Sequence, residues 1–354
     1  MLFRSILFAG AQRNTSDYLR SEIITSLLDF AQQTPYGTRQ WERRLVMAGT
    51  LARDMAGHLE GGVREELEDV LRQAATTPNK EPASRANLAT VLDELWTPPD
   101  IHAFIRVEQK GILFHLAKYP VTNAQYARFL EADDFHEEKY WVNFPKYAEP
   151  EKKYARLGNW GADGYEWLKQ NLDERQKVLP RYWDDARFGF SHKNAPVVGI
   201  SWWEANAYCK WLSENWDELE EGKQGLPRPK EIRLPTEAEW VLAAGGEQDN
   251  RYAFGKLESE QEITVYANMG ESRIGRTTPV WMYPQGASQP YGLLDMSGNV
   301  WEWQANLYGK GALGPESRSL RGGSWSNGQG LARVSYRNDI LPDVRLSYIG
   351  FRWV

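Results

Sequence analysis

The chain has 354 residues, 42% hydrophobic and 25% charged, with a formal net charge of -6. That is globular composition, long enough for two domains, and its acidic balance argues against nucleic acid or anionic membrane as partners. No run approaches the roughly 18 apolar residues of a membrane helix, and a single cysteine, Cys209, excludes an internal disulfide, which fits a reducing, cytoplasmic setting.

The opening residues MLFRSILFAGAQRN place Arg4 and Ser5 between short apolar clusters and lack the long apolar core of a signal peptide. From Asp17, Leu19, Ile23, Leu27 and Phe30 recur at helical spacing until Pro35-Tyr36-Gly37. A second run sets Trp41, Leu45, Ala48, Leu51, Ala52 and Met55 on one stripe and ends around Gly57 to Gly62. A third carries Val63, Leu67, Val70 and Leu71, followed by a polar linker at 76–85 and a short helix from Ala86 to Leu95. Pro98-Pro99 mark a boundary. Residues 1–97 thus read as a small all-α region without evident chemistry, suited to docking a partner or to self-association.

Beyond it the composition changes. Nearly all of the 16 Trp lie after position 95, and with 17 Tyr, 30 Gly and 18 Pro they predict large rings packing irregular loops. Thr122-Asn-Ala-Gln125, Ser201-Trp-Trp-Glu204 and Thr236-Glu-Ala-Glu239 each read as a capping box opening a helix, and Gly245-Gly246 stops the last one. The aromatic stretch 133–195 reads as a surface excursion. No internal repeat is present.

Five segments occur in one order: KYPVTNAQYARFL (118–130), PVVGISWWEANAYCKWLSE (196–214), RLPTEAEWVLAAGG (233–246), YGLLDMSGNVWEW (291–303) and LRGGSWS…YRND…IGFRWV (320–354). Together they resemble the formylglycine-generating-enzyme (sulfatase-modifying factor) domain over about 98–354. The resemblance implies an α+β, C-type-lectin-like fold preceded by the helical region. It also implies sites to be checked one by one, because fold does not fix function. The family's oxidases hold copper between two cysteine thiolates just after the GGS motif, where Asn327 and Ala332 stand here. Cys209 lies mid-helix and reads as a buried, inert thiol. Another branch builds an iron site from a histidine cluster; His58, His102, His115, His136 and His192 form no such pattern. The family also binds calcium, and carried over its ligands are Asp295, the carbonyls of Gly298 and Val300, and Glu302, an all-oxygen set suited to structural Ca2+. Equally open is that Asp295 caps a turn while Glu302 pairs with an arginine. Of a second calcium loop, only Asn268 matches.

The tail 321–354 alternates two kinds of residue. Arg321, Gly322, Gly323, Ser324, Trp325, Arg333, Arg337, Pro342, Asp343, Arg345, Ile349, Gly350, Phe351 and Arg352 read as a framework. Between them stand Ser326, Asn327, Gly328, Gly330, Leu331, Tyr336, Asn338, Asp339, Ile340, Leu341, Val344, Leu346, Ser347 and Tyr348. This pattern resembles the variable proteins of diversity-generating retroelements, in which adenine-directed mutagenesis of AAY codons recasts the surface of the same fold. Changing the first two bases of AAY cannot produce Lys, Glu, Gln, Met or Trp, and none of the fourteen is one of these. Leu331, Ile340, Leu341, Val344, Leu346 and Tyr348 follow no helical or strand period, and exposed together they would make an apolar patch with tyrosine anchors. Ile349 and Phe351 are expected inside, packing the last strands, and the same is open for Ile340. The expectation is a non-catalytic protein whose fourteen interleaved residues contact a ligand, most simply a protein. The alternatives are an oxidase of the family and a regulatory paralogue of it.

Overall fold

The computed structural model describes residues 17–55, 59–78, 81–109, 111–142, 160–246, 251–259, 262–309, 313–314 and 316–354. The expectations for residues 1–16, Gly57, His58 and 143–159 lie outside them. Two compact units divide between Thr97 and Pro98.

The first unit contains α1 (Asp17–Gln32), α2 (Arg39–Asp54), α3 (Gly61–Thr76) and α4 (Pro82–Asp93). Thr38 caps α2 by accepting from the Trp41 amide, and Pro82 fits the first turn of α4, where its missing N–H has no partner to lose. Leu45, Ala48, Leu67, Leu71, Leu88 and Leu92 close the core. On α1 the stripe differs from expectation. Ile24, Leu27, Leu28 and Ala31 face inward, whereas Leu19 and Phe30 are exposed at 45% and 38%. Two overlapping i, i+4 series run through this helix, and packing selects the aliphatic one. The stretch read as a linker also shortens, because Pro82 already starts α4.

The second unit opens with the antiparallel hairpin β1 (Phe104–Gln109) and β2 (Ile112–Ala117), then α5 (Asn123–Glu131). Next come α6 (Glu138–Trp141), α7 (Trp160–Asn171), α8 (Trp202–Asn215), α9 (Glu220–Lys223), α10 (Glu237–Ala243) and α11 (Ile263–Tyr266). Strands β3 (Trp301–Leu307), β4 (Arg318–Arg321), β5 (Asn338–Ile340) and β6 (Ile349–Gly350) form one sheet in the order β5-β4-β3-β6. β6 runs parallel to β3, and the other pairs are antiparallel. This is the α+β class the resemblance implies. All three capping boxes form: Thr122, Ser201 and Thr236 accept from the third helical amide, and Gln125, Glu204 and Glu239 reach back. Gly245 and Gly246, with φ of 92° and 86°, end α10 in the left-handed region.

The main core lies between α5, α8 and β3, where Tyr126, Tyr208, Trp211, Trp303 and Phe351 interlock. The stretch expected as a surface excursion instead supplies buried Phe135, Tyr140, Trp141, Leu168 and Val178 to it. Burying these apolar side chains removes their area from water, which favours the excursion folding back. The last residues run beside the hairpin: Phe351 and Trp353 carbonyls accept from Val121 and Ala117 amides at 2.8 and 2.9 Å.

Candidate ligand-contact surface

The tail is held by arginines that reach carboxylates planted elsewhere in the fold. Arg352 is fully buried; its Nε and Nη2 donate to Glu302 of β3 at 2.8 and 2.6 Å, and Nη2 also donates to the Leu294 carbonyl at 2.8 Å. Arg345 donates to Glu204 of α8 at 3.1 Å and to the Gly199 carbonyl at 3.0 Å. Burial pushes the Glu204 carboxyl up, and Arg345 opposes that rise. Arg321 and Arg337 share Glu237, the first residue of α10. Arg333 departs from this scheme, because its Nε has no hydrogen-bond partner among the described residues.

The glycine pair of RGGSW is required by geometry. Gly322 and Gly323 have φ of 101° and 72°, and a Cβ on Gly323 would lie 3.0 Å from the Ala332 backbone. The turn delivers buried Ser324, whose Oγ donates to Asn327 Oδ1 at 2.6 Å. Trp325 Nε1 donates to the Ser347 carbonyl at 3.1 Å, tying the two ends of the segment together.

Against this framework none of the fourteen interleaved residues is buried. Ser326, Gly328, Tyr336 and Leu341 are exposed; Asn327, Gly330, Leu331, Asn338, Asp339, Ile340, Val344, Leu346, Ser347 and Tyr348 are half-buried. Nine framework residues, by contrast, are buried: Arg321, Gly322, Gly323, Ser324, Pro342, Ile349, Gly350, Phe351 and Arg352. The interleaved side chains do not all stand clear, however. Leu331, Ile340, Leu346 and Tyr348 lean against the main core, whereas Tyr336 and Leu341, at 39% and 37% exposure, are exposed large apolar side chains. Burial, and then neighbouring Tyr182, push the Tyr348 phenol up.

Trp301 brings several of these positions together, which the sequence did not indicate. Its Nε1 donates to Asn327 Oδ1 at 2.8 Å, its amide donates to the Tyr348 carbonyl at 2.9 Å, and its ring lies 6.1 Å from that of Tyr336. Glu204 and Glu237 were equally hidden. As the capping-box residue of α8 and the acidic first residue of α10, they are accounted for without any arginine.

The metal-binding expectations fare differently. Where a copper thiolate pair would sit, the Asn327 amide oxygen is occupied by Ser324 and Trp301, and Ala332 is buried. Cys209 is buried, and desolvation pushes its thiol well up. The calcium set Asp295, Gly298, Val300 and Glu302 does not fit a cation as it stands. Both Glu302 oxygens serve Arg352, and Oε2 also accepts from Trp240 Nε1 at 2.8 Å. The Gly298 carbonyl accepts from the Val300 amide at 2.8 Å, and Asp295 Oδ2 accepts from Asn299 at 2.8 Å. Burial pushes the Asp295 carboxyl up to about 7. The arginine pairing of Glu302, one of the two readings of that motif, is the arrangement found. Asn268 likewise turns inward, accepting from Ser272 Oγ at 2.9 Å. Among the described residues no group of three His, Cys, Asp or Glu side chains could hold a metal.

Comparison with known proteins places these features. The family description "Sulfatase-modifying factor enzyme 1-like domain" matches residues 106–354. Serine/threonine-protein kinase pkn1 of Chlamydia pneumoniae is 30% identical over 254 residues, covering 68% of this chain but 32% of that protein. Hercynine oxygenase of Mycolicibacterium smegmatis is 28% identical over 268 residues, 68% of this chain and 52% of the enzyme. Inactive C-alpha-formylglycine-generating enzyme 2 of Mus musculus is 27% identical, covering 68% and 74%. The chain therefore spans about a third of the kinase's length and half of the oxygenase's. Among solved structures, Treponema denticola variable protein 1 aligns at 21% identity with a TM-score of 0.41, covering 70% of this chain and 90% of that one. PvdO from Pseudomonas aeruginosa gives 21% and 0.41, covering 71% and 89%. With a family match running from the first hairpin to the last residue, this chain belongs to the sulfatase-modifying factor enzyme 1-like, or formylglycine-generating-enzyme-like, family.

Proposed function

We propose that the chain is a non-catalytic ligand-binding protein, a variable protein of the diversity-generating retroelement kind, whose fourteen interleaved residues contact a protein ligand. One observation carries this reading. None of the fourteen positions is buried, while the backbone between them is fixed by framework arginines, glycines and their carboxylates. Exposed Tyr336 and Leu341 supply rigid and apolar contact of the kind that concentrates binding energy. Catalysis of the oxidase type has no support in the residues, since one cysteine cannot supply two thiolates.

A regulatory role is the second reading, favoured by the similarity to a relative named as inactive. In either case the helical unit would serve as the docking or self-association module. Its exposed Tyr18, Leu19, Phe30 and Tyr36 support that assignment.

The two readings separate at the DNA. Sequencing the locus in sister isolates should show differences confined to the codons of the fourteen positions. It should also show a near-identical repeat rich in AAC and AAT beside a reverse-transcriptase gene. A tail that is constant among isolates, with no such repeat, would leave the regulatory reading standing.

A further inference from the structure

The loop that carries Tyr336 and β5 returns to the same carboxylate twice. Glu237 lies outside the tail, at the first position of α10, with its amide donating to Asn306 Oδ1 at 2.8 Å. Its Oε1 accepts from Arg321 Nε at 2.8 Å and from Arg337 Nε at 2.5 Å, and its Oε2 accepts from Arg337 Nη2 at 2.6 Å. Arg321 extends the grip to the backbone, donating to the carbonyls of Val334 at 2.7 Å and Tyr336 at 3.2 Å. Arg337 lies over the Tyr308 ring at 4.4 Å, and Ser319 Oγ donates to Glu237 Oε2 at 3.1 Å. Every group in this clasp is a backbone carbonyl or a side chain outside the fourteen. None of it depends on what stands at 336, 338, 339, 340 or 341.

We infer that Glu237 is the positioning residue that allows this loop to exchange its side chains without losing its path. The inference rests on the variable-surface reading and names the group that makes such variation tolerable. A loop held by its own apolar side chains would shift with each replacement. A loop held by a two-arginine clasp at a helix start keeps its backbone.

The test needs no ligand. Positions 336, 338, 339, 340 and 341 are randomised together in the full chain, displayed on yeast, and scored for protease resistance. The backgrounds are native, E237Q, and Leu212→Ala, a core variant whose protease concentration is adjusted until its parent matches the E237Q parent. The native library is expected to stay largely resistant. The resistant fraction of the E237Q library should fall about tenfold below that of the Leu212→Ala library, the scale of one charge-assisted contact. If the E237Q parent does not fold, R337Q removes only the exposed arm and is read the same way. A fraction in E237Q equal to that in Leu212→Ala overturns the role of Glu237. A native library that is mostly cleaved overturns the variable-surface reading itself, whatever Glu237 does.

Discussion

Replacing Arg352 with Met distinguishes framework from interleaved residues by magnitude. Arg352 and Glu302 are 0% and 1% exposed, so the variant leaves a carboxylate in the interior with only Trp240, among the described residues, as a hydrogen-bond partner. Breaking a buried ion pair on one side costs about 3–5 kcal/mol, and the Leu294 and Ala117 carbonyls lose donors at about 1 kcal/mol each. For a domain of this size, with roughly 2–4 °C per kcal/mol, a loss of about 5–7 kcal/mol lowers Tm by roughly 10–28 °C. Tyr336→Ala removes a ring that is 39% exposed, and the apolar area lost is worth about 1 kcal/mol, or a few degrees. Scanning calorimetry with urea titration reads both. The double variant Glu302→Gln, Arg352→Met removes both charges and should be less destabilised than the sum of the single variants. If Arg352→Met melts within two degrees of the native chain, or the two single losses simply add, the tail is not held by its arginines and the reasoning fails.

Three further outcomes follow from the same geometry. Tyr348→Ala should lower Tm more than Tyr336→Ala, because Tyr348 packs on the main core; equal shifts would place the two rings in equivalent surroundings. Burial alone would raise the Glu237 carboxyl, but Arg337 and Arg321 hold it below its usual range. Its stabilising contribution is therefore complete above the unfolded value of about 4.3 and lost as pH falls through the lower folded value. The protection factor at Asn338 to Ile340, with exchange normalised to the intrinsic rate at each pH, should thus fall only in acid below about pH 4, and a fall between about pH 5 and 8 would contradict the clasp. EGTA should leave the melting temperature unchanged, because Glu302 is already satisfied by Arg352; a drop of several degrees would mean that a cation displaces that arginine.

How much of this was legible in the sequence depends on the range of each interaction. The capping boxes at Thr122, Ser201 and Thr236 form as read, because four consecutive residues carry all their hydrogen bonds. The glycines at 322 and 323 and the arginine framework were visible as residue types. Their partners were not: Arg337 meets Glu237 across 100 positions, and Arg345 meets Glu204 across 141. No periodicity encodes such a pairing. The α1 stripe failed for a related reason, since two apolar series share the helix and only its neighbours select between them. The excursion at 133–195 read as surface because its charges outnumber its rings locally, whereas Tyr140 and Trp141 are fully buried. Partial burial of Leu331, Leu346 and Tyr348 was likewise beyond a pattern that sorts residues only as framework or interleaved, whereas packing of Ile340 against the last strands was one of the open readings.

The position of the anchoring carboxylates bears on binding energetics. Glu204 and Glu237 stand in the first turns of α8 and α10, where the helix dipole favours negative charge by about 0.3–1 kcal/mol. Glu204 serves twice: Oε2 accepts from the Ser201 amide at 2.6 Å, closing the cap, while Oε1 receives Arg345. Displacing the tail there also strains a helix start. Glu239, in the cap of α10, holds Arg233 at 2.6 and 2.8 Å, and the Arg233 backbone pairs with Val354. The tail is thus registered against two helix ends before any ligand arrives. Ordering a mobile loop would otherwise cost about 0.5–1.5 kcal/mol for each immobilised side chain on binding. A loop already ordered avoids much of that cost whichever residues it displays. Variants differing only at the interleaved positions should then share similar association rates and differ chiefly in how fast the complex dissociates.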